Sequence, residues 1–190
     1  AIEVCEAQQK DMNFANMTLD EVNIGSYMDM IRQKTAVLLA GALKIGALYA
    51  GANQADVRAL YDFGIHLGLA FQIQDDLLDG YGDTAVFGKK TGQDIRDNKK
   101  TFLPLTAMKL CNENQRIELH SLFSGKITDE EERVRWVIAI YDAVGLRKHI
   151  EEAIDKEFVA ATKYLDTINV DNSLKLPLCE LMETLKGRKK

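Results

Sequence analysis

The sequence predicts an all-α protein, and three of its features support that prediction. Its 190 residues contain only two prolines, Pro104 and Pro177, to interrupt helices. Runs in which apolar and polar residues alternate, as in half-buried strands, are few, so no segment is convincing as a strand. Residues that start and stop helices recur at short intervals. They predict mainly antiparallel neighbouring helices within one domain spanning residues 1–190.

The first part of the chain divides at predicted helix caps. Residues 1 to about 17 should form one helix, and Thr18 with Glu21 makes a capping box that should start a short second helix. Ser26 is the expected cap of the next helix, which continues through residues 36–52. Glycines and alanines make that last stretch thin on one side, which favours close packing against a neighbouring helix.

A long helix and a loop should follow. Asn53 or Gln54 opens a helix that reaches Asp79 and stops at Gly80 and Gly82. A glycine-containing loop then leads to about residue 100. The remaining predicted helices are residues 102–112, a segment opened by a capping box of Thr128 with Glu131 and ending near Ala143, about Leu146–Ile168, and about Ser173–Lys186.

The overall charge and the cysteines restrict the classes of function. The formal net charge is −5, which argues against nonspecific nucleic-acid binding. The cysteines, Cys5, Cys111 and Cys179, are odd in number and show no CxxC spacing, so neither a disulfide framework nor a zinc site is expected. The longest apolar stretch, residues 36–52, is shorter than a typical membrane span and contains Lys44. We therefore expect a cytoplasmic protein with no stable membrane span.

Acidic side chains are concentrated at the end of the predicted long helix. At about 100° per residue, Gln72, Asp75, Asp76 and Asp79 fall within an arc of about 100°. The acids repel one another, and the helix macrodipole disfavours negative charge at a C-terminus. A divalent cation would offset both effects, and carboxylate oxygens suit Mg²⁺ or Mn²⁺. The alternative is a solvated acidic helix end, although the apolar run FQI leads directly into the acids.

Lysines follow the acids on the predicted loop. Lys89, Lys90, Lys99 and Lys100 could fold back over the acidic cluster. A metal held by acids on one side and lysines on the other is the environment that a diphosphate group requires.

The stretch from Phe71 to Thr101 resembles the second aspartate-rich region of the trans-isoprenyl diphosphate synthases, the family of farnesyl and geranylgeranyl diphosphate synthases. The resemblance covers about residues 1 to 110 and implies an isoprenoid synthase-type helical bundle. The matching residues are Phe71-Gln72, Asp75-Asp76, Asp79, Gly82-Asp83, Gly88-Lys89, Asp94-Ile95 and Lys99.

Two upstream segments extend the resemblance. YMDMIRQKT, which begins at Tyr27, is similar to the family's Y-x6-KT segment. Gln8 and Asp11 resemble its GQxxD motif, with Ala7 where the family usually has glycine.

The resemblance implies a prenyltransferase reaction. An allylic diphosphate ionises, isopentenyl diphosphate attacks the carbocation, and a proton is removed, while three Mg²⁺ ions stabilise the leaving diphosphate. Asp75 would be the principal metal ligand of this region, with Asp76 and Asp79 supporting it through water. The catalytic residues would be Lys34, which contacts the diphosphate, and Thr35 and Gln72, which lie beside the developing cation. The other residues expected to bind diphosphate are Lys89, Lys99, Gln8 and Arg188 of the basic C-terminal tail.

Some of these assignments have structural alternatives. Lys34 would otherwise be a helix-surface lysine, and Gln8 would cap a packed helix face. Lys100, adjacent to Lys99, could bind the diphosphate in its place.

The first aspartate-rich motif of the family is missing from the sequence. No DDxxD or DDxxxxD occurs before Asp75, and the chain opens on AIEVCEAQQKDM, which has the character of the middle of a helix. We therefore expect the C-terminal portion of a polyprenyl diphosphate synthase, truncated at its N-terminal half and inactive by itself. Missing helices would leave an apolar face exposed, so we also expect self-association as a homodimer.

Two other functions stay open at this point. A noncatalytic subunit or binding module could use the same fold without chemistry, although the intact lysines and aspartates argue against it. A class I terpene cyclase shares the all-α fold and the ionisation step. Its second metal motif, however, is typically an Asn/Asp–Ser/Thr–Glu arrangement.

Overall fold

The structure, a computed structural model, describes residues 2–82, 91–124 and 129–188. All regular elements in these ranges are helices, as the sequence predicts, and none of them is long and apolar enough to cross a bilayer. In chain order they are α1 (Ile2–Ala15), α2 (Ile24–Ile31), a π-helical turn (Arg32–Ala36), α3 (Val37–Tyr49), α4 (Gln54–Tyr81), α5 (Gln93–Arg96), α6 (Phe102–Leu110), α7 (Glu113–Leu122), α8 (Glu130–Ala143), α9 (Leu146–Thr167) and α10 (Asn172–Lys186).

The predicted caps between α1 and α2 are wrong in detail. The Glu21 carboxylate accepts hydrogen bonds from the backbone N–H of Thr18 (2.7 Å) and from its hydroxyl (2.9 Å), but the segment forms a turn and no helix. Asn23, in extended conformation, caps α2 in place of Ser26, because its side-chain oxygen accepts from the Ser26 N–H at 2.9 Å.

The backbone stays helical from α2 through the π-helical turn into α3. Ile31, Arg32, Ala36 and Val37 all keep right-handed helical angles, so the change of hydrogen-bonding pattern does not break the rod. π-Helical turns are rare and occur frequently at functional sites. This one contains Lys34 and Thr35.

The long helix α4 begins as predicted and ends later than predicted. The Asn53 side chain accepts from the N–H of Asp56 at 3.0 Å and caps the helix. The helix continues past Gly80 to Tyr81, and the N–H of Gly82 still donates to the carbonyl of Leu78 at 2.8 Å. Two further helical residues therefore lie beyond Asp79.

Two caps in the second half differ from the sequence-based expectation. Helix α7 was not predicted, although Asn112 and Gln115 form a complete capping box at its start. Helix α8 is capped by Asp129, whose side chain accepts from the N–H of Glu132 at 3.0 Å. The expected capping residue Thr128 lies outside the described residues.

Helix α4 forms the centre of the core. It packs between α3 and α9, and its contacts with these two helices are the most extensive in the structure. Phe63 and Leu67 on α4 and Ile150 on α9 are fully buried. Each such side chain stabilises the fold by about 1.5–3 kcal/mol relative to an exposed one. This packing fixes the acidic end of α4 relative to its neighbours.

The crossing between α3 and α4 is close because small residues meet there. A Cβ atom on Gly68 would lie 2.5 Å from the Ala36 Cα, and one on Gly64 would lie 2.6 Å from the Ala40 Cα. The predicted close packing of residues 36–52 is therefore present. It uses the alanines of that segment against glycines of α4, whereas Gly41 would have no neighbouring atom within 4 Å of a Cβ.

A methyl group at the crossing should separate the two helices. We expect Gly68→Ala to lower the free energy of unfolding by about 1–3 kcal/mol because the backbone of Ala36 cannot yield to it. Gly41→Ala is the matched control and should raise stability by up to about 1 kcal/mol through higher helix propensity. Urea unfolding followed by circular dichroism measures both. Equal stabilities of the two variants would contradict the close crossing.

Candidate functional site

The acidic end of α4 opens onto a cavity of about 120 Å³. Side chains from α1, α2, the π-helical turn, α4 and the segment around α5 surround it. They are Asp11, Tyr27, Met30, Ile31, Lys34, Gln72, Asp75, Asp76, Asp94, Lys99 and Thr101. The fold thus brings together side chains from residues far apart in the chain, five of which the resemblance assigns to the site: Lys34, Gln72, Asp75, Asp76 and Lys99.

Asp75 is the accessible acid of the cluster. Its side chain keeps 49% of its surface exposed, and its Oδ1 lies 3.5 Å from Nη2 of Arg188. A half-exposed carboxylate at a cavity wall can bind a cation without giving up buried hydrogen bonds. Asp75 therefore has the environment expected of the principal metal ligand.

Asp76 is buried and bound by protein groups. Its Oδ2 accepts from the Tyr27 hydroxyl at 2.5 Å and from the backbone N–H of Phe102 at 3.1 Å. Burial raises the pKa of Asp76 to about 7, although the hydrogen bond from Tyr27 lowers it. This carboxylate joins α2, α4 and the start of α6, which is a structural task.

Asp79 fixes the returning loop. Its two side-chain oxygens accept from the backbone N–H groups of Gln93 (3.2 Å) and Asp94 (2.9 Å), and its carbonyl accepts from the N–H of Gly92 (2.6 Å). Burial and the nearby charge of Asp94 raise the pKa of Asp79 to about 6. The third acid of the motif therefore holds the start of α5 against the end of α4.

Two lysines face the cavity, each beside an acid. Lys34 Nζ lies 2.6 Å from Asp11 Oδ2, and Lys99 Nζ lies 2.8 Å from Asp94 Oδ1. Burial lowers the pKa of Lys99. The hydrogen bond to Asp94 and the negative charge of that acid together raise the pKa by more, so its net shift is upward.

Lys100 points away from the cavity. It is 4% exposed, and its Nζ donates to the carbonyl of Ala15 at the end of α1 at 3.1 Å. The structure thus separates the adjacent lysines that the sequence could not distinguish, because Lys99 lines the cavity and Lys100 does not.

Thr35 in the π-helical turn and Gln72 on α4 form a polar pair. The Thr35 hydroxyl donates to Oε1 of Gln72 at 3.0 Å, and Nε2 of Gln72 lies 3.4 Å from Asp76 Oδ1. The pair therefore presents oriented oxygen dipoles beside the acids and offers no ionised nucleophile.

Three predicted positions need separate mention. Gln8 is exposed and is absent from the cavity lining, so the structure does not bring it to the site. Lys89 lies outside the described residues. Arg188, at the end of α10, does reach the acidic cluster through Asp75.

Asp11 and Asp94 were missed as site residues. Both lie in the motifs that carry the resemblance, so their positions in those motifs could have identified them as site residues. Their task is visible only in the fold, where each orients a cavity lysine.

The donor set fits a hydrated divalent cation. No group of three or more His, Cys, Asp or Glu side chains in metal-binding arrangement is present among residues 2–82, 91–124 and 129–188. Mg²⁺ usually takes one or two protein carboxylates and completes its shell with waters and substrate phosphates. Asp75 supplies one such ligand next to open space.

Comparisons with known proteins identify one family. The polyprenyl synthetase family model matches residues 1–141. A short chain isoprenyl diphosphate synthase of Methanocaldococcus jannaschii is 41% identical over 133 residues, which cover 69% of this chain and 39% of that protein. A geranylgeranyl diphosphate synthase of Sulfolobus acidocaldarius is 40% identical over 129 residues, which cover 68% of this chain and 38% of that protein.

Solved structures share the fold. A geranylgeranyl pyrophosphate synthase superposes with a TM-score of 0.89 at 36% identity, covering 100% of this chain and 58% of that one. The enzyme from Corynebacterium glutamicum, complexed with isoprenyl diphosphate and magnesium, has a TM-score of 0.85 at 26% identity, covering 98% and 52%. The chain spans about two fifths of the length of these curated relatives. The motifs, the helical fold and the matched family model together place this chain in the polyprenyl synthetase family.

Proposed function

We propose that the chain is the C-terminal part of a polyprenyl diphosphate synthase, which condenses isopentenyl diphosphate head to tail with an allylic diphosphate. The observation that carries this proposal is the convergence of Asp75, Lys34, Lys99 and Gln72 on one cavity. The arrangement combines a metal ligand, two cations and a dipole, and no serine or cysteine of the described residues lines the cavity. That combination suits ionisation of a diphosphate ester.

The charge of the cavity supports a metal requirement. Four aspartates and two lysines of the described residues line it, so their formal charge is −2 with every aspartate ionised and −1 with Asp76 protonated. An anionic diphosphate would be repelled by such a wall. A divalent cation on Asp75, Mg²⁺ or Mn²⁺, would reverse the local sign and stabilise the leaving diphosphate.

The lysines hold their positions before substrate arrives. Asp11 and Asp94 keep the ammonium groups of Lys34 and Lys99 pointed at the cavity. A diphosphate would then meet oriented charges, so little reorganisation is needed during ionisation.

Part of the cavity lining is apolar and buried. Met30 and Ile31 are each 2% exposed, and Tyr27 is 3% exposed. Beside them, Oε1 of Gln72, already oriented by Thr35, can stabilise a developing carbocation without capturing it covalently. Low water access would protect that cation from hydrolysis.

We also propose that the protein acts as a homodimer. Leu38 and Ile45 on α3 are each 69% exposed and Tyr49 is 96% exposed, so one side of this helix presents apolar surface. Such surfaces mark association sites.

A turnover assay with the 190-residue chain tests the proposed function. Labelled isopentenyl diphosphate is supplied with dimethylallyl, geranyl or farnesyl diphosphate and Mg²⁺. We expect no product from this chain alone, because only one aspartate-rich wall is present. We expect chain elongation once an upstream half with the first aspartate-rich motif is fused to it.

Three other outcomes of that assay would be decisive. Elongation by the 190 residues alone would show that one wall suffices. Products formed without isopentenyl diphosphate would indicate a terpene cyclase. A complete assembly that binds both diphosphates without turnover would support a noncatalytic subunit.

The two adjacent acids should respond differently to substitution. Asp75→Asn should reduce turnover of the complete assembly by at least about 100-fold, the scale typical of a lost electrostatic contact to the transition state. It should change the free energy of unfolding by less than about 0.5 kcal/mol. Asp76→Asn should lower that stability by about 1–3 kcal/mol. Its oxygen can keep the Tyr27 and Phe102 donors only by turning the buried amide nitrogen toward the Nε2 donor of Gln72, where it finds no acceptor. Thermal unfolding of the chain and steady-state kinetics separate the two roles, and equal stability losses would refute the distinction.

Self-association can be measured directly. Sedimentation equilibrium of the chain should show a dimer. Tyr49→Lys together with Ile45→Lys should weaken it, because charge on the exposed face of α3 opposes apolar contact. Lys148→Glu on α9, where the side chain is 81% exposed, is a surface control. A monomer at all concentrations would contradict the dimer.

A further inference from the structure

The C-terminal end of α10 is attached to α4 by a buried amide. Gln74 is 7% exposed, and its Nε2 donates to the carbonyl of Arg188 at 3.2 Å and to that of Lys186 at 3.5 Å. Carbonyls at a helix C-terminus have no partner within the helix, so a side-chain donor there fixes the path of the chain. This attachment lies one residue before Asp75.

Because of this attachment, the Arg188 side chain lies along the acidic end of α4. Its guanidinium carbon is 4.5 Å from the centroid of the Phe71 ring, and its Nη2 is 3.5 Å from Asp75 Oδ1. Its Nη1 is buried and has no hydrogen-bond partner among the described residues. Arg188 is therefore held by stacking and one long ionic contact, with donors still available.

The contact between Arg188 and Asp75 is longer than a strong ion pair. Charge-assisted N–H···O bonds are usually about 2.7–2.9 Å long, and arginine commonly binds a carboxylate through two of them. Arg188 and Asp75 make one contact at the upper limit of a hydrogen bond. A partner held this way can exchange for a stronger ligand at low cost.

A nearby positive charge would stabilise the Asp75 carboxylate both with and without a bound metal. It stands near the C-terminus of α4, where the macrodipole disfavours an anion, and beside the carboxylates of Asp76 and Asp79. Arg188 and a divalent cation would compete for the same oxygen. When the cation binds the Asp75 carboxylate, repulsion between the two positive charges favours departure of the guanidinium, whose planar donors suit the oxygens of a diphosphate.

We propose that Gln74 is a positioning residue that holds Arg188 against Asp75 as an exchangeable counter-ion, which neutralises the carboxylate before metal binds and leaves it when metal and diphosphate enter. This inference rests on the proposed function, since it takes Asp75 as a metal ligand. In this proposal, Gln74 acts on the site indirectly, by holding the backbone of Arg188.

Mn²⁺ binding to the 190-residue chain, followed by electron paramagnetic resonance, tests the exchange. Without diphosphate, Arg188→Gln should tighten Mn²⁺ binding by about two- to fivefold, the scale of one exposed ion pair. With inorganic pyrophosphate present, the same variant should weaken binding of the metal–pyrophosphate complex. A residue with a merely structural role would not produce opposite signs in the two conditions.

Gln74→Leu separates positioning from charge. It leaves Arg188 intact but removes the amide that holds its backbone, so Mn²⁺ binding without pyrophosphate should tighten in the same direction. The double variant should show no further gain, because both substitutions remove one interaction. Lys186→Gln is the matched control for lost charge, since Lys186 pairs with Glu183 at 3.2 Å, and it should leave Mn²⁺ affinity unchanged.

The outcomes distinguish this inference from the proposed function. If Asp75→Asn leaves Mn²⁺ binding unchanged, the metal ligand assignment fails. If Asp75→Asn abolishes binding while Arg188→Gln has no effect or weakens binding without pyrophosphate, only the counter-ion exchange is overturned. An equal gain from Lys186→Gln would also overturn it, because the effect would then be one of net charge.

Discussion

The site depends on one buried carboxylate. Asp76 accepts hydrogen bonds from the Tyr27 hydroxyl on α2 and the Phe102 N–H at the start of α6, so three helices meet at a single side chain. A buried acceptor that serves two donors is costly to disturb, because both donors would be left unpaired, and this restricts how α4 can rotate. With that rotation fixed, the preceding residue Asp75 faces open space and the later Asp79 faces the backbone of α5. The roles of both acids follow from the burial of Asp76.

The three aspartates of the acidic motif are the same residue type, but each has a different task in the structure. One carboxylate is accessible to a cation, one organises the core, and one holds the loop that carries Asp94 and Lys99. This division resolves the crowding of like charges at a helix C-terminus. Each acid faces a different direction and is compensated separately, by an arginine, by buried donors, or by backbone amides.

Much of the fold could be predicted because its signals are local. The scarcity of prolines, the capping residue Asn53 and the apolar spacing indicate helices, and the all-α prediction is confirmed. The errors occur where tertiary contacts override local preference. Thr18 and Glu21 make their predicted hydrogen bonds in a turn without a helix, and the α3–α4 crossing uses glycines of the partner helix.

The sequence by itself determined the class of fold, the family and the set of candidate residues, because helical periodicity and motif spacing are properties of the chain. It also placed Gln72 and the three aspartates on one arc of a helix. Only the tertiary structure decided which acid stays accessible, that Lys99 and not Lys100 faces the cavity, that Gln8 stays outside it, and that Arg188 reaches Asp75. These outcomes depend on which neighbouring helix covers each side chain. Burial against a segment distant in the chain cannot be read from the spacing of nearby residues.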